Sequence, residues 1–551
     1  MKHITTFLLS FLLSFLIAQE SKRGAPYTIE KNIKISSNRI DMDAINIEQL
    51  LIEDENRPPA TPFRYGYKFD VDLSLENSGE WTILDNGDRI WQLAIFSNDA
   101  YAICLEYDYF HLPDNSTFYV YNENGSLIYG AYTNENNQED MLFSTPLVEG
   151  ELIYLEYYEP SSSYGEGIIN IDYIIHDYKD ILNFSQSRES RSCGDNVVCS
   201  SANDYEDQVN ATSFLDMGGY ICSGSMVNNT SFDLTPYYWT AWHCVVGENT
   251  STFRFYFDYE TTSCSGSWAS QGSYSFGSSL LSDSDGMDPD YALLLITDTT
   301  PSLDGVFYAG WDRSSSSPTI SCGVHHPGGD PKKINFDNDN AYSSGQINWG
   351  DPDYDGDNDI SPSGSHWRVY WDEGGTAGGS SGSPVYNDDG LLVGQLTGGS
   401  GDCNSGDTED YYGKFSRAFS DIDGWLDPLN TGETTIDGTY DGANNSDSDG
   451  DGVPDDEDSD ENNQYQCSDN DSDSCDDCSS GYYDPENDGC IYEPGDISLD
   501  GAINIVDVVM LVNIIIGNYE PSDEQLVVAD LNNDNLINVA DIVLLVSAIL
   551  G

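Results

Sequence analysis

The hexapeptide Gly379-Ser380-Ser381-Gly382-Ser383-Pro384, preceded along the chain by Ala241-Trp242-His243-Cys244 and by Asp288-Pro289-Asp290-Tyr291-Ala292-Leu293-Leu294, constrains this sequence more than any other feature. A serine hydroxyl is a poor nucleophile until an imidazole takes its proton and a carboxylate orients that imidazole. The three segments carry one group of each kind, so a fold that uses them must gather three distant stretches. Ser381 would then be the nucleophile, His243 its base and Asp290 the carboxylate. The small neighbours Gly379 and Gly382 let the backbone amides of Gly379 and Ser381 converge on one point, as an oxyanion hole requires. A Gly/Ser loop with no role is the bland alternative, and the His and Asp upstream weigh against it.

At roughly 150 residues per domain, 551 residues suggest three or four modules. Met1-Lys2-His3 and the apolar run from Phe7 to Ile17, closing near Ala18-Gln19, read as a secretory signal peptide. No other segment is long and apolar enough to span a bilayer. With 96 acidic against 20 basic residues the net charge is −76, which repels nucleic acid and anionic membranes. Twelve cysteines in an exported chain favour disulfides.

Composition divides the chain at 1–19 (signal peptide), 20–191 (pro-region), 192–428 (the domain holding the three segments), 429–494 (acidic, Cys-containing linker) and 495–551. Within the pro-region, residues from about 60 to 175 alternate apolar and polar positions between turn signals at Asn86-Gly87 and Asn124-Gly125, which predicts a β-sandwich. Short strand patterns between frequent turns in 192–428 predict an antiparallel barrel pair. Lys179 is the nearest upstream lysine to that domain, and Arg188 and Arg191 lie in the polar stretch before Cys193.

The order His, Asp, Ser is that of chymotrypsin-like proteases, and Cys193 to about Leu426 resembles the trypsin-like proteases, within them the bacterial lysyl endopeptidase group. Cys222-Ser223-Gly224-Ser225-Met226-Val227-Asn228-Asn229-Thr230, Ala309-Gly310-Trp311-Asp312-Arg313, His325-His326-Pro327 and Asp410-Tyr411-Tyr412-Gly413 carry that likeness. It implies disulfides Cys193–Cys403, Cys199–Cys264 and Cys222–Cys244, leaving Cys104 and Cys322 without partners. It implies further that Asp410 receives a substrate lysine, since Gly375 stands six residues before Ser381 where trypsin-like pockets usually place an Asp. Trp349 resembles the group's pocket-side Trp, whose partner is a His; the matching position is Thr397, so the stacked pair is not expected. Ser380 stands where trypsins carry the Asp that receives a freed N-terminal amine, so activation is expected to depend on removing the pro-region. The acidic loop from Asp351 to Asp359 offers a cation site or an attraction for cationic substrates.

In the tail, Asp447, Asp449, Asp451, Asp455 and Asp458 alternate with Gly at the sixth position, like a thrombospondin type 3 repeat, and suit Ca²⁺. Two stronger loops place oxygens at positions one, three, five, nine and twelve: Asp496, Ser498, Asp500, Asn504, Asp507, and Asp530, Asn532, Asp534, Asn538, Asp541. Each leads into an apolar helix. This pair resembles a dockerin domain, which implies structural Ca²⁺ and a cohesin-like partner. Cys467, Cys475, Cys478 and Cys490 could bind zinc, but an exported acidic setting favours disulfides.

The sequence thus points to a mainly β protein: a chymotrypsin-like double β-barrel, an N-terminal β-sandwich pro-region and a small α-helical calcium-binding C-terminal domain. The function expected is a secreted serine endopeptidase cleaving after Lys, with no catalytic cofactor and a tail able to hold it at the cell surface. The rival is a calcium-dependent scaffold or adhesion protein on an inactive protease fold.

Overall fold

The computed structural model describes residues 24–31, 38–186 and 193–440, except 271, 273, 298–302, 304, 401–402 and 404–408, and beyond these 459, 463, 465–468, 478, 494–498, 503–519, 521, 523–532 and 536–550. The signal-peptide reading and Arg188 and Arg191 fall outside them. Contacts divide the chain into two units, 1–441 and 442–551. No helix among the described residues is long and apolar enough to cross a membrane.

The first unit begins with two packed sheets, antiparallel except where Arg39–Asp41 pairs parallel with Arg89–Phe96. In one, Leu152–Glu159 lies between Arg89–Phe96 and Thr117–Asn122; in the other, Ile168–Asp177 lies between Ala102–His111 and Gly66–Ser74. Alternate side chains of a strand share a face, so Trp91, Leu93 and Ile95 meet Ile103, Leu105 and Tyr107 in one core. The Asn86-Gly87 and Asn124-Gly125 turns close the hairpins Glu80–Ile83 with Arg89–Phe96, and Thr117–Asn122 with Ile128–Tyr132. The opposite face of the second sheet, through Ala102, Cys104 and Ile175, packs with Tyr65 and with Phe214, Ile221 and Tyr256 of the following domain. At that seam the buried Arg254 pairs with Asp216 at 2.9 Å, and Tyr65 donates to Asp216 at 2.8 Å.

That domain is built on an eight-stranded and a ten-stranded sheet. The first orders Thr212–Asp216, Tyr220–Met226, Tyr237–Ala241 and Tyr291–Ile296 side by side; the second holds Ser321–His325, Pro384–Tyr386, Leu392–Gly399, Glu409–Lys414 and His366–Tyr370. Trp239 and Tyr291 from the first sheet and Val324, Tyr386 and Leu392 from the second meet in one cluster, so the two sheets share a core. The helix Phe415–Leu426 seals it with Phe415, Phe419, Ile422 and Leu426, spaced along one helical stripe. The second sheet runs on to Thr435–Ile436, paired with Trp311–Asp312, beyond the boundary at 428 drawn from composition. Disulfides join Cys193–Cys403, Cys199–Cys264 and Cys222–Cys244, while Cys104 and Cys322 are buried thiols.

In the second unit the helices Ile505–Ile515 and Val539–Leu550 bury Leu511 and Leu545 against Ile497 and Val528. Cys467 bonds to Cys478; Cys475 and Cys490 lie outside the described residues.

Candidate active site

His243 sits on the short helix Trp242–Val245, which follows directly on the strand Tyr237–Ala241. Asp290 immediately precedes Tyr291–Ile296, the strand paired beside it, with Ala241 opposite Tyr291. This register brings the two side chains together: His243 Nδ1 is 2.8 Å from Asp290 Oδ2, and the His243 amide donates to Asp290 Oδ1 at 3.0 Å. Both residues are buried. Asp290 holds a left-handed φ of 63°, and its carbonyl accepts from Trp242 N at 3.1 Å and Gln395 Nε2 at 2.9 Å. The carboxylate is therefore positioned from both sheets. A carboxylate at Nδ1 fixes that nitrogen as the protonated one. Among the described residues the other nitrogen, Nε2, is buried and has no hydrogen-bond partner. Cys222, His243 and Cys244 lie close enough to suggest a metal set, but the two cysteines are bonded to each other.

Ser381 is 8 % exposed and its carbonyl accepts from Ser223 N at 2.8 Å, next to the Cys222–Cys244 bridge that pins the His243 helix. The loop before it is fastened by its carbonyls. Gly378 O accepts from Gly328 N at 2.6 Å, Gly379 O from Ser223 Oγ at 2.9 Å, and Ser380 O from Ser383 N at 3.0 Å. In a trans peptide the N–H points away from the preceding C=O, so the amides of Gly379 and Ser381 are turned outward from these anchors. Neither has an acceptor among the described residues, whereas the amides of Ser380 and Gly382 are bonded to Ala377 O and Leu396 O. Gly379 has φ 96°, and a Cβ there would fall 2.8 Å from Ile221 Cδ1 and 2.9 Å from His326 O, so only glycine fits.

Asp410 is fully buried on Glu409–Lys414, with Oδ2 accepting from Trp371 Nε1 at 2.8 Å and Thr376 Oγ1 at 2.9 Å. Thr376 follows Gly375, where a Cβ would meet nothing nearer than Cys403 Cα at 3.9 Å. Gly399 lies against Asp410 as closely as a residue without a side chain can. Trp349, 3 % exposed, donates to Ser361 Oγ at 2.7 Å. Thr397 stands at the position where the resemblance puts the imidazole, and another imidazole lies near this Trp from a different strand, tilted and not stacked. His366, from His366–Tyr370, lies 5.8 Å from the Trp349 ring at a tilt of 47° and bonds through Nε2 to Thr397 Oγ1 at 3.0 Å. Burial pushes its pKa down to about 3, so the ring is neutral. Sequence reading missed His366 because no spacing ties it to Trp349. The carboxylates of Asp351, Asp353 and Asp355 approach within 4.8 Å.

Residues 58–64 of the chain itself lie against these elements. Phe63–Arg64 pairs antiparallel with Tyr220–Ile221, and a Cβ on Gly378 would fall 2.5 Å from Phe63 Cδ2. At the other end, positions on Gly350 and Gly398 face Pro58, Pro59 and the amide of Ala60, and Ala60 packs with Trp242, Met287 and Trp349. Thr61 and Pro62 lie between. The segment is anchored by Arg64 and Lys179, each 2.7 Å from Asp54. Burial alone would raise the Asp54 pKa, but hydrogen bonds from Lys179, Tyr178 and Arg64 hold it below the usual value. Lys179 also lies 4.3 Å over the Phe63 ring.

In the tail, Asp447, Asp449, Asp451, Asp455, Asp458, Asp500 and Asp534 lie outside the described residues. Asp507 is buried and accepts from Ser498 N at 2.8 Å and Asn504 N at 2.7 Å. Asp541 is equally buried; its Oδ2 accepts from Asn538 N at 2.8 Å, and its Oδ1 has no partner among the described residues. An orphaned carboxylate oxygen beside other oxygen donors fits a hard cation. Asp496 and Ser498 stand at 3.4 Å, and Asp530 and Asn532 fall at the start of the second loop.

Residues 187–413 match the family model of the lysyl endopeptidase C-terminal domain, and residues 494–550 that of the dockerin type I domain. The chain is similar to a lysyl endopeptidase of Pseudomonas aeruginosa, 27% identical over 406 residues that span 67% of this chain and 82% of that protein. Solved structures that align include the active form of the Rv3671c protease from M. tuberculosis, at 12% identity and TM-score 0.29, covering 43% of this chain and 91% of that one. The protease Anisep from Arthrobacter nicotinovorans aligns at 16% identity and TM-score 0.27, covering 38% and 92%.

Proposed function

We propose that this chain, which carries a lysyl endopeptidase domain and a dockerin type I domain, is the precursor of a secreted serine endopeptidase that cleaves after lysine. The observation that carries the reading is the His243–Asp290 pair with Nε2 uncommitted, beside a serine loop whose Gly379 and Ser381 amides are also uncommitted. Ser381 Oγ attacks the carbonyl carbon of the scissile bond and His243 Nε2 takes its proton. Asp290 keeps the imidazole in the required tautomer and stabilises the imidazolium. The tetrahedral oxyanion sits against the amides of Gly379 and Ser381, and His243 then protonates the leaving amine. Water repeats the sequence on the acyl-enzyme. The ammonium of a substrate lysine is received by Asp410, with Trp349 and Thr397 on the pocket wall.

The docking of 58–64 supports reading this chain as a proenzyme. Pro58–Phe63 crosses the cleft from the Trp349 and Gly398 side to the Tyr220–Ile221 edge, so substrate is excluded until the pro-region, 20–191, is removed. In the tail, Asp496, Ser498, Asn504 and Asp507, and Asp530, Asn532, Asn538 and Asp541, with Asp500 and Asp534, would hold one Ca²⁺ per loop. The ion would supply local structure, and the module would take a cohesin-like partner that retains the enzyme at a surface.

The test is labelling of the mature protein by a fluorophosphonate and mass spectrometry of digested mixed peptides. Labelling lost in Ser381→Ala, with new termini after Lys, is expected. A mature wild type that neither labels nor cleaves would refute the proposal.

A further inference from the structure

Ser380 lacks the carboxylate that trypsin-like enzymes place before the nucleophile, and a different device lies beneath it. His325 is buried at the end of the strand Ser321–His325. Its Nδ1 is 2.7 Å from Ser380 Oγ, and its Nε2 is 3.2 Å from Cys193 O and 3.1 Å from Asn335 Oδ1. The Asn335 amide is oriented by its own donation to Gly375 O at 2.8 Å, which turns its oxygen to the imidazole. Both neighbours of Nε2 are therefore acceptors, so Nε2 carries the proton and Nδ1 accepts from the Ser380 hydroxyl. Ser380 Oγ in turn accepts from Ala377 N at 3.2 Å. Burial pushes the His325 pKa down to about 4, so the ring stays neutral where a serine–histidine pair works. The surroundings admit nothing larger: a Cβ on Gly194 or Gly374 would lie 2.3 or 2.4 Å from Asn335 Oδ1.

We infer that His325 is a positioning residue, which fixes the loop 377–381 and with it the Gly379 and Ser381 amides by tying Ser380 to the Cys193 carbonyl and Asn335. The inference rests on the serine protease reading. The tie uses a main-chain carbonyl and no terminal amine, and it is present in the uncut chain. The oxyanion donors are thus set before any cut ahead of Cys193, and the precursor is silent because its cleft is filled.

The test uses the mature enzyme with His325→Ala and His325→Gln, and a form carrying a short extension ahead of Cys193. Four quantities are read: kcat and KM on a lysyl peptide, affinity for a peptide boronate that forms a tetrahedral adduct, and affinity for a peptide ending in lysinamide. Since losing one oxyanion donor costs about 10²–10³ in kcat, His325→Ala should lower kcat and boronate affinity together by about ten- to a hundredfold, with KM and lysinamide affinity within about threefold. His325→Gln, which keeps an acceptor for the hydroxyl, should recover part of the loss, and the extended form should retain kcat. Unchanged kcat in both variants, equal loss of lysinamide and boronate affinity, or loss of kcat in the extended form would each overturn the inference. If His325→Ala does not fold, the Gln variant and the extension decide. An inactive wild type would overturn the protease reading itself.

Discussion

Asp410→Asn separates charge from shape in the proposed pocket. The carboxylate is fully buried and accepts from Trp371 Nε1 at 2.8 Å and Thr376 Oγ1 at 2.9 Å through one oxygen. An Asn side chain has the same size and keeps an oxygen for both donors, so the strand Glu409–Lys414 should hold its place. What disappears is the negative charge facing a lysine ammonium. Removing one member of a buried charge pair costs roughly 2–5 kcal/mol, and tenfold corresponds to about 1.4 kcal/mol, so kcat/KM toward lysyl peptides should fall by roughly thirty- to several-thousandfold. Matched peptides with Lys, Arg or norleucine before the scissile bond report the change. The norleucine substrate, which has no charge to pair, should lose far less. A small fluorophosphonate that reaches Ser381 without filling the pocket should label at the wild-type rate. A ratio of Lys to norleucine cleavage unchanged to within about threefold would refute the reasoning, because the ammonium would then be paired elsewhere.

Four further outcomes are expected. Gly379→Ala meets Ile221 Cδ1 at 2.8 Å and His326 O at 2.9 Å at a φ of 96°, so kcat should drop by at least about a hundredfold and the melting midpoint should fall. In the uncut chain Phe63→Ala removes a half-buried ring from Gly378 and Lys179, a loss of roughly 1–2 kcal/mol of docking, and fluorophosphonate labelling should accelerate about tenfold. Asp54 has a depressed pKa when folded, so its anchoring is fully present above its ordinary 3.8 and is lost as pH falls through the lower folded value; the protection of the 57–64 amides in the uncut chain, relative to their intrinsic exchange rates, should hold down to about pH 4 and fall below. Chelation of Ca²⁺ should lower the thermal transition of 442–551 in the full chain, and Asp541→Ala, which disables one of the two loops, should reduce that response, while hydrolysis of small peptides is unaffected.

The sandwich was legible from its period-two strands and Asn-Gly turns, and the barrel domain from short strands between turns, because both signals are local. His243 and Asp290 were legible for a different reason. Each sits at the end of a strand, and those two strands are neighbours, so one register fixes their contact. His366 and His325 were not legible as partners of Trp349, Thr397 and Ser380. They reach across strands far apart in sequence, and a buried histidine bonded to a hydroxyl leaves no spacing to read. Phe63 was equally silent, since two residues paired at a sheet edge carry no periodicity. The late extension of the second sheet posed the same difficulty: Thr435–Ile436 is held by its partner Trp311–Asp312 more than by its own pattern.

The two ways of silencing a serine protease precursor make opposite demands on the loop before the nucleophile. Where an unformed oxyanion hole is the block, that loop must be loose until a new terminus arrives, and the cleft can stand open. Here the loop is tied by Gly328, Ser223, Ser383 and His325 while residues 57–64 remain joined to the chain. A formed site that is to stay inactive has to be filled, and what fills it has to resist the site. Thr61-Pro62 between the two docked ends meets that demand in two ways: Thr61 offers no ammonium to Asp410, and Pro62 has no N–H and a ring-locked φ. Anchoring through Arg64, Lys179 and Asp54 then places Lys179, the nearest lysine upstream of the domain, inside the clamp that a cut there would release. A first cut after Lys179 thus needs either a second molecule or a transient opening of the Asp54 cluster, and its rate should depend on precursor concentration in the first case alone.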